Sequence, residues 1–424
     1  MSSTVHTGTD NQSIPRPVSS EDAAIARGFS LKDLPDSFYD DPYPTYRALQ
    51  SADPIHRMPD GSLFLTRHRD LEAIYKDTAR FSSDKKVEFA PKYGDGSLLF
   101  QHHTTSLVFN DPPLHTRVRR LIAAALNPRA IAGMEPGLIA LVDRLLDDMQ
   151  ARGRADLIED FASAIPVEVI GNLLAIPHED RAPLRGWSLA ILGALEPFLS
   201  EDVQTRGERA VGEFLGYLRH LIADRRARPG DAERDVLTRL IEGEATGERL
   251  SEIELLQNCI FILNAGHETT TNLIGNGLEL LLRFPEQRQR LIDDPALIKA
   301  AVEEFLRYES SNQLGNRRVT QDMEIDGVAI PEGALITLCI GAANRDPDVF
   351  AEPERLDIGR SPNRHLAFAS GAHACVGLTL ARLEGRIAIG RFLARFPKFA
   401  ASGHTHRARR VRFRGFTSLP VTLT

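Results

Sequence analysis

The longest helical pattern in the chain runs from Ser251 to Arg283 and stops at Phe284-Pro285. At 1.5 Å per residue such a helix spans roughly 48 Å, enough to cross the whole of a molecule this size, so the remaining elements must be arranged around it. Its start carries a capping box, Ser251 with Glu254 three residues on. Its centre, Cys259-Ile-Phe-Ile-Leu-Asn-Ala-Gly266, is apolar almost all round, the pattern of a helix buried on every side. Gly266-His-Glu-Thr-Thr-Thr271 follows and is poor helix sequence, because glycine brings no side chain and threonine hydroxyls compete for backbone carbonyls. The combination predicts a bend with a groove in mid-helix.

The rest of the chain is mainly helical by its periodicity. Helices are predicted at 136–151, 160–176, 182–195, 203–228, 233–242 and Ala300–Tyr308, with a proline-started one over Asp41–Gln50. The sustained β signal is confined to a hairpin around Pro59-Asp-Gly61 and to short pieces at Asn316–Val319, Met323–Ile325, Val328–Ile330 and Ala334–Cys339. Residues 82–108 lack clear periodicity and read as a substrate-access loop carrying two surface histidines, His102 and His103. No linker-like stretch or fixed-period repeat interrupts residues 29–424, so one large domain is expected there, behind a flexible tail at 1–28 rich in Ser, Thr, Pro and Asp.

A net charge of −7 gives no support to nucleic-acid binding. The arginines at 407, 409, 410, 412 and 414 read as a solvated edge. With no apolar run of signal-peptide or membrane-anchor length, the expectation is a cytoplasmic, monomeric protein. Three cysteines, at 259, 339 and 375, are too scattered for a disulfide framework or a zinc site. Cys259 and Cys339 sit in apolar runs and read as core.

Cys375 differs, because it lies in the glycine-rich Phe368-Ala-Ser-Gly-Ala-His-Ala-Cys-Val-Gly377 directly ahead of a helical pattern opening at Thr379. Unpaired N–H groups at a helix N-terminus favour a thiolate, and the small residues let a flat ligand approach the backbone. Such a thiolate is a good axial ligand for haem iron. The alternative at this point is an ordinary glycine loop with a buried cysteine. Elsewhere, His115 and Arg119 stand at i and i+4 and could clamp an anion; Arg317 and Arg318 could reach a second. In the long helix, Glu268 beside Thr269 could pass protons into the groove.

Taken in order, Asp111-Pro-Pro-Leu-His-Thr-Arg-Val-Arg119, Ala265-Gly-His-Glu-Thr-Thr270, Glu304-Phe-Leu-Arg307, Ala343-Asn-Arg-Asp-Pro347 and Gly371-x-His373-x-Cys375-x-Gly377 resemble the motifs of the cytochrome P-450 family, soluble bacterial class. The resemblance extends from about residue 30 to 420. It implies a mainly α, triangular helical domain with a minor β-sheet region, binding haem b. By the same resemblance Cys375 is the iron ligand, and Glu268 and Thr269 are the acid–alcohol pair. His115, Arg119, Arg317 and His373 match propionate-binding positions, and Ala265, Gly266, Phe368, Gly371 and Gly377 line the cofactor. Glu304 and Arg307 match a buried structural pair completed by an arginine of a downstream loop, here Arg360.

The implied activity is monooxygenation: O2 is activated with electrons from NAD(P)H, delivered by a separate ferredoxin and ferredoxin reductase. The substrate is a small hydrophobic organic molecule, to be hydroxylated, epoxidised or O-dealkylated. A peroxide-driven enzyme of the same fold and a non-catalytic haem sensor or carrier are the rival readings. Arg117 and Arg120 are candidates for a basic docking face. Two departures stand out: Ala369 where the family's loop usually has glycine, and Glu309-Ser-Ser-Asn-Gln-Leu-Gly315, which lacks the usual proline and whose Asn312, Gln313 and neighbouring Asn316 would make the pocket more polar.

Overall fold

A computed structural model describes residues 18–231, 236–242 and 250–423. The long helix is present as Glu252–Arg283, capped by Ser251: its hydroxyl accepts from the Glu254 N–H, and the Glu254 carboxylate accepts from the Ser251 N–H at 2.8 Å. Around it pack helices Ala164–Leu173, Leu184–Gly193, Glu201–Ala227, Ile298–Tyr308 and Leu378–Arg395. Close crossing is set by small residues. A Cβ at Gly277 would come within 2.8 Å of Ile389 and 3.0 Å of Phe305, so the helices beneath can reach the long helix only with glycine there.

The helix does not break at 266–271. Thr269 and Thr271 donate their hydroxyls back to the carbonyls of Ala265 and His267, at 2.7 and 2.9 Å, which satisfies them without interrupting the helix. The helix runs unbroken through the stretch where the bend is predicted.

The main sheet has five strands in the order Ile55–Arg57, Leu63–Leu65, Leu335–Cys339, Leu314–Val319 and Phe81–Ser82. Leu63–Leu65 runs parallel to Leu335–Cys339, and the other neighbours are antiparallel. Met323–Ile325 and Val328–Ile330 form a separate hairpin. Among the described residues no helix is long and apolar enough to cross a membrane.

Four expectations need correction. Within the predicted flexible tail, Ser20–Gly28 is a helix with Ala26 buried, while residues 1–17 lie outside the described residues. The predicted loop at 82–108 contains helices Lys86–Tyr93 and Leu98–Thr105. His102 and His103 are buried, not surface groups: His102 bonds Gln257 at 3.0 Å and Asn264 at 3.3 Å. Weak amphipathicity hid that second helix, which is covered on most sides. Asn312, Gln313 and Asn316 are held by structural partners. Gln313 donates to the Ser310 carbonyl at 2.7 Å, Asn316 bonds Thr337 and Arg412, and Asn312 bridges to Phe413.

The largest correction concerns the C-terminal arginines. Only Arg409 has a solvated side chain. Arg414 is buried, paired with Glu309, and donates to the carbonyls of Tyr39 and Asp40 at 2.8 and 2.7 Å. Arg412 donates to Leu314 and Asn316, Arg410 pairs with Glu268, and Arg407 lies 3.7 Å from Glu309. They tie the chain end into the core rather than edging it.

Candidate functional site

The loop at 368–377 is shaped by two left-handed residues. Gly371 has φ +67, and a Cβ there would run into the carbonyl oxygen of Tyr75, so only glycine fits. Ala369 has φ 55, a conformation that an L-residue adopts at a cost of roughly 1–2 kcal/mol. A short 3₁₀ turn, Gly371–His373, then presents Cys375, whose N–H donates to the Phe368 carbonyl at 2.9 Å. The helix Leu378–Arg395 starts three residues on. Burial pushes the Cys375 thiol up, opposed by the Gly377 N–H and by the charges of Arg119 and Arg382. Burial therefore outweighs the helix N-terminus in the protein alone.

The long helix shows one open stripe. Ala265 is exposed and Phe261, Gly266 and Thr269 are half-buried, whereas their neighbours Ile262, Leu263, Asn264, His267 and Glu268 are buried. Residues 261, 265 and 269 repeat at helical spacing, so the open positions share one face. Phe368, Val376 and Gly377 are likewise only half-buried.

The rim of the cleft is basic and short of partners. The rings of His115 and His373 lie with centroids 3.9 Å apart, tilted by 31° to one another. Both nitrogens of His115, Nε2 of His373 and Nε of Arg317 are buried without a hydrogen bond. Burial and the neighbouring Arg317, His115 and Arg119 hold His373 down at about 3, and burial with Arg119 also lowers His115. Arg317 lies over the Tyr75 ring at 5.1 Å. Buried donors left unpaired are costly, and such a set is what a pair of carboxylates would satisfy. Haem is a flat group with two acidic arms and an iron that takes a thiolate, so the unpaired basic donors and the free thiol present suit the cofactor that the sequence implies.

Under the loop, Glu304 and Arg307 are fully buried and joined by two hydrogen bonds of 2.8 Å. Arg360 reaches Glu304 at 3.1 Å, and Arg307 donates to the carbonyls of Asn344, Pro353 and Arg355. Asn344 accepts from the Leu366 N–H at 2.6 Å, which links this lattice to the cysteine loop.

The acid and alcohol are not joined. Thr269 bonds its own helix, and Glu268 is buried against Arg410, with its second oxygen unpartnered. Burial raises the Glu268 carboxyl and Arg410 opposes it. Arg410 also donates to the Leu189 carbonyl at 3.0 Å. Local pattern missed this residue; the alternation of Arg410, Arg412 and Arg414 with buried Val411 and Phe413 was the available signal. Arg117 is committed to Glu254, with one bond of 3.1 Å.

A family model described as cytochrome P450 matches residues 189–407. The biotin biosynthesis cytochrome P450 of Bacillus subtilis (strain 168) is 37% identical, over 91% of this chain and 97% of its own. The vitamin D(3) 25-hydroxylase of Pseudonocardia autotrophica is 38% identical, over 91% of this chain and 95% of its own. A crystal structure of P450BioI in complex with hexadec-9Z-enoic acid ligated acyl carrier protein superposes with TM-score 0.87 at 36% identity, covering 92% of this chain and 100% of that one.

Proposed function

Since the chain belongs to the cytochrome P450 family and is a monooxygenase acting on hydrophobic substrates, we propose that Cys375 is the axial ligand of its haem and that Glu268 and Thr269 handle the protons. The observation that carries this assignment is the grouping of a half-buried Cys375 with Arg119, and of Arg119 with His115, His373 and Arg317, where both nitrogens of His115, Nε2 of His373 and Nε of Arg317 are buried without partners. His115, Arg119, Arg317 and His373 would hold the propionates, and Phe368, Gly371 and Gly377 would line the proximal face. When bound, haem b ligated by a thiolate supplies activation of O2.

The chain's own part is to exclude water and meter protons. Burial raises the Glu268 carboxyl against the opposing charge of Arg410, which favours its taking up a proton; rotating away from Arg410 would deliver that proton toward the Thr269 hydroxyl, whose oxygen keeps acceptor capacity while it donates to Ala265. Electrons reach the site from NAD(P)H through a separate ferredoxin and its reductase.

The deciding experiment is a ferrous–CO spectrum of the reconstituted protein. A red-shifted Soret band that disappears in Cys375→Ala, while the variant remains folded by circular dichroism, is the expected result. Absence of that band in folded wild type would sink the ligand assignment. Turnover with a surrogate ferredoxin and no added peroxide separates this reading from a peroxide-driven one.

A further inference from the structure

We propose that the substrate of this cleft is an amphipathic acid, an apolar body ending in one carboxylate, received by Arg412 with Lys85 and Lys92 beside it. The proposal rests on the monooxygenase reading of the cleft and names the class of molecule it takes.

The apolar part is a small cluster separate from the main core. Leu192, Leu195 and Phe413 are buried together, with Phe89 and Phe109 packed against them. These residues come from four separate stretches of the chain, at 89, 109, 192–195 and 413. Phe89 and Phe109 are only half-buried, so the cluster keeps an apolar edge against which a ring system or an alkyl chain would pack.

The polar part adjoins it. Arg412 precedes Phe413, and its guanidinium is fixed by donation to the Leu314 carbonyl at 3.0 Å and to the Asn316 side chain. Its Nε is buried with no partner. Asn316 stands next to Arg317, so this edge reaches the rim described above. Lys85 is buried at 4% exposure, on the helical stretch that carries Phe89, and pairs with Glu88 at 3.2 Å. Lys85 feels the charges of both Arg317 and Arg412. Lys92 donates to the Glu196 carbonyl at 2.6 Å and also feels Arg412.

Charge arithmetic then decides what is missing. The cations are Lys85, Lys92 and Arg412, since Arg317 is assigned to a propionate. The carboxylates are Glu88 and Glu196, and Glu196 already accepts the N–H groups of Val411 and Arg412 at 2.9 and 3.2 Å. Burial keeps His102 and His103 neutral, and Arg410 offsets Glu268. Among these groups, Lys85 buried and Lys92 half-buried, one positive charge is left over, with the nearby Glu208 already accepting the N–H groups of Leu98 and Leu99. Glu88 Oε2 and Glu196 Oε1 are also buried without partners, so the cluster does not close on itself. An uncompensated buried charge is expensive, and a ligand bearing a single carboxylate is what would balance it.

The test uses the holoenzyme with palmitic, dehydroabietic and naphthylacetic acids, each beside its methyl ester. Binding is read by the haem spin-state shift and, independently, by equilibrium dialysis. At least one acid should bind roughly tenfold or more tighter than its ester. Arg412→Met should remove that preference while leaving the ester's affinity unchanged; Lys85→Met, which disturbs no backbone carbonyl, carries the same test if the Arg412 variant fails to take up haem. Esters binding as tightly as acids, acids that do not bind, or a variant that weakens acid and ester equally would each overturn the proposal. A normal ferrous–CO band alongside any of these outcomes leaves the monooxygenase reading standing, whereas a missing band indicts that reading instead.

Discussion

Arg410 pairs with Glu268 across 142 residues of sequence, and the same guanidinium holds the Leu189 carbonyl at 3.0 Å. The charge state of the carboxyl proposed to carry protons is therefore set by a residue from the far end of the chain. Arg410→Met would leave burial unopposed and push the Glu268 carboxyl further up. Since the protonated carboxyl is the donor, the alkaline limb of the turnover profile should move to higher pH. Product formation measured across pH with a surrogate ferredoxin checks this; a profile superimposable on wild type would exclude the coupling.

Thr269→Ala removes a hydroxyl whose only described bond is to the Ala265 carbonyl of its own helix. The loss should cost little stability, within about 1 kcal/mol. Ligand-induced spin-state shifts should persist while reducing equivalents pass to hydrogen peroxide. The ratio of product to NAD(P)H consumed is the measurement, and an unchanged ratio would show that Thr269 takes no part in proton delivery.

How much of this could be read in the sequence depends on the range of the interaction. The capping box at Ser251, the strand pieces around Pro331 and the Glu304–Arg307 pair lie within a few residues of each other, and the structure places them as the local pattern predicts. The helix predicted to follow the cysteine loop is likewise local, and it is present as Leu378–Arg395. By contrast, Arg410, Arg412 and Arg414 find their partners at separations of 142, 96 and 105 residues. A run of arginines has no local mark that separates a solvated edge from a buried set of ties. His102 was misread for the same reason: its partners Gln257 and Asn264 belong to the long helix.

Ala369 and Gly371 both lie in the left-handed region, but only Gly371 is also hemmed in by backbone. Ala369→Gly should relieve strain and stabilise the holoprotein by up to about 1 kcal/mol, since glycine's greater unfolded freedom offsets part of the gain. Gly371→Ala should instead displace the Tyr75–Lys76 backbone and reduce haem retention. Thermal melting and the ratio of Soret to protein absorbance distinguish the two, and equal effects would contradict the geometry.

Glu304, itself fully buried, accepts from the buried Arg307 and from the part-buried Arg360, Asn363 and Asp357 N–H. Glu304→Gln keeps the shape and strips the charge, leaving two buried guanidinium groups facing an amide. The cost should be about 3–5 kcal/mol, the range for breaking a buried ion pair from one side. Because Asn344 joins this lattice to the cysteine loop, haem loading should fall with it. Full loading at an unchanged melting temperature would show that the lattice is dispensable.

Glu384 lies in the helix that follows Cys375, at 2% exposure, with its Oε2 lacking a hydrogen-bond partner. Burial alone raises its carboxyl from 4.5 to about 8. The folded protein thus keeps a proton that the unfolded chain releases. The stabilising contribution of that proton is complete below pH 4.5 and is lost progressively as pH climbs to 8. The slope is on the order of 1.4 kcal/mol per pH unit for one group. Glu384→Gln cannot ionise, so its stability should lack this component. Whatever the fixed cost of burying an amide, wild type should lose ground against the variant steadily from pH 5 to 8 and hold level above that. Urea denaturation of both proteins at several pH values gives the difference directly, and parallel stability curves across this window would mean that Glu384 has a partner or a path to water that keeps its pKa ordinary.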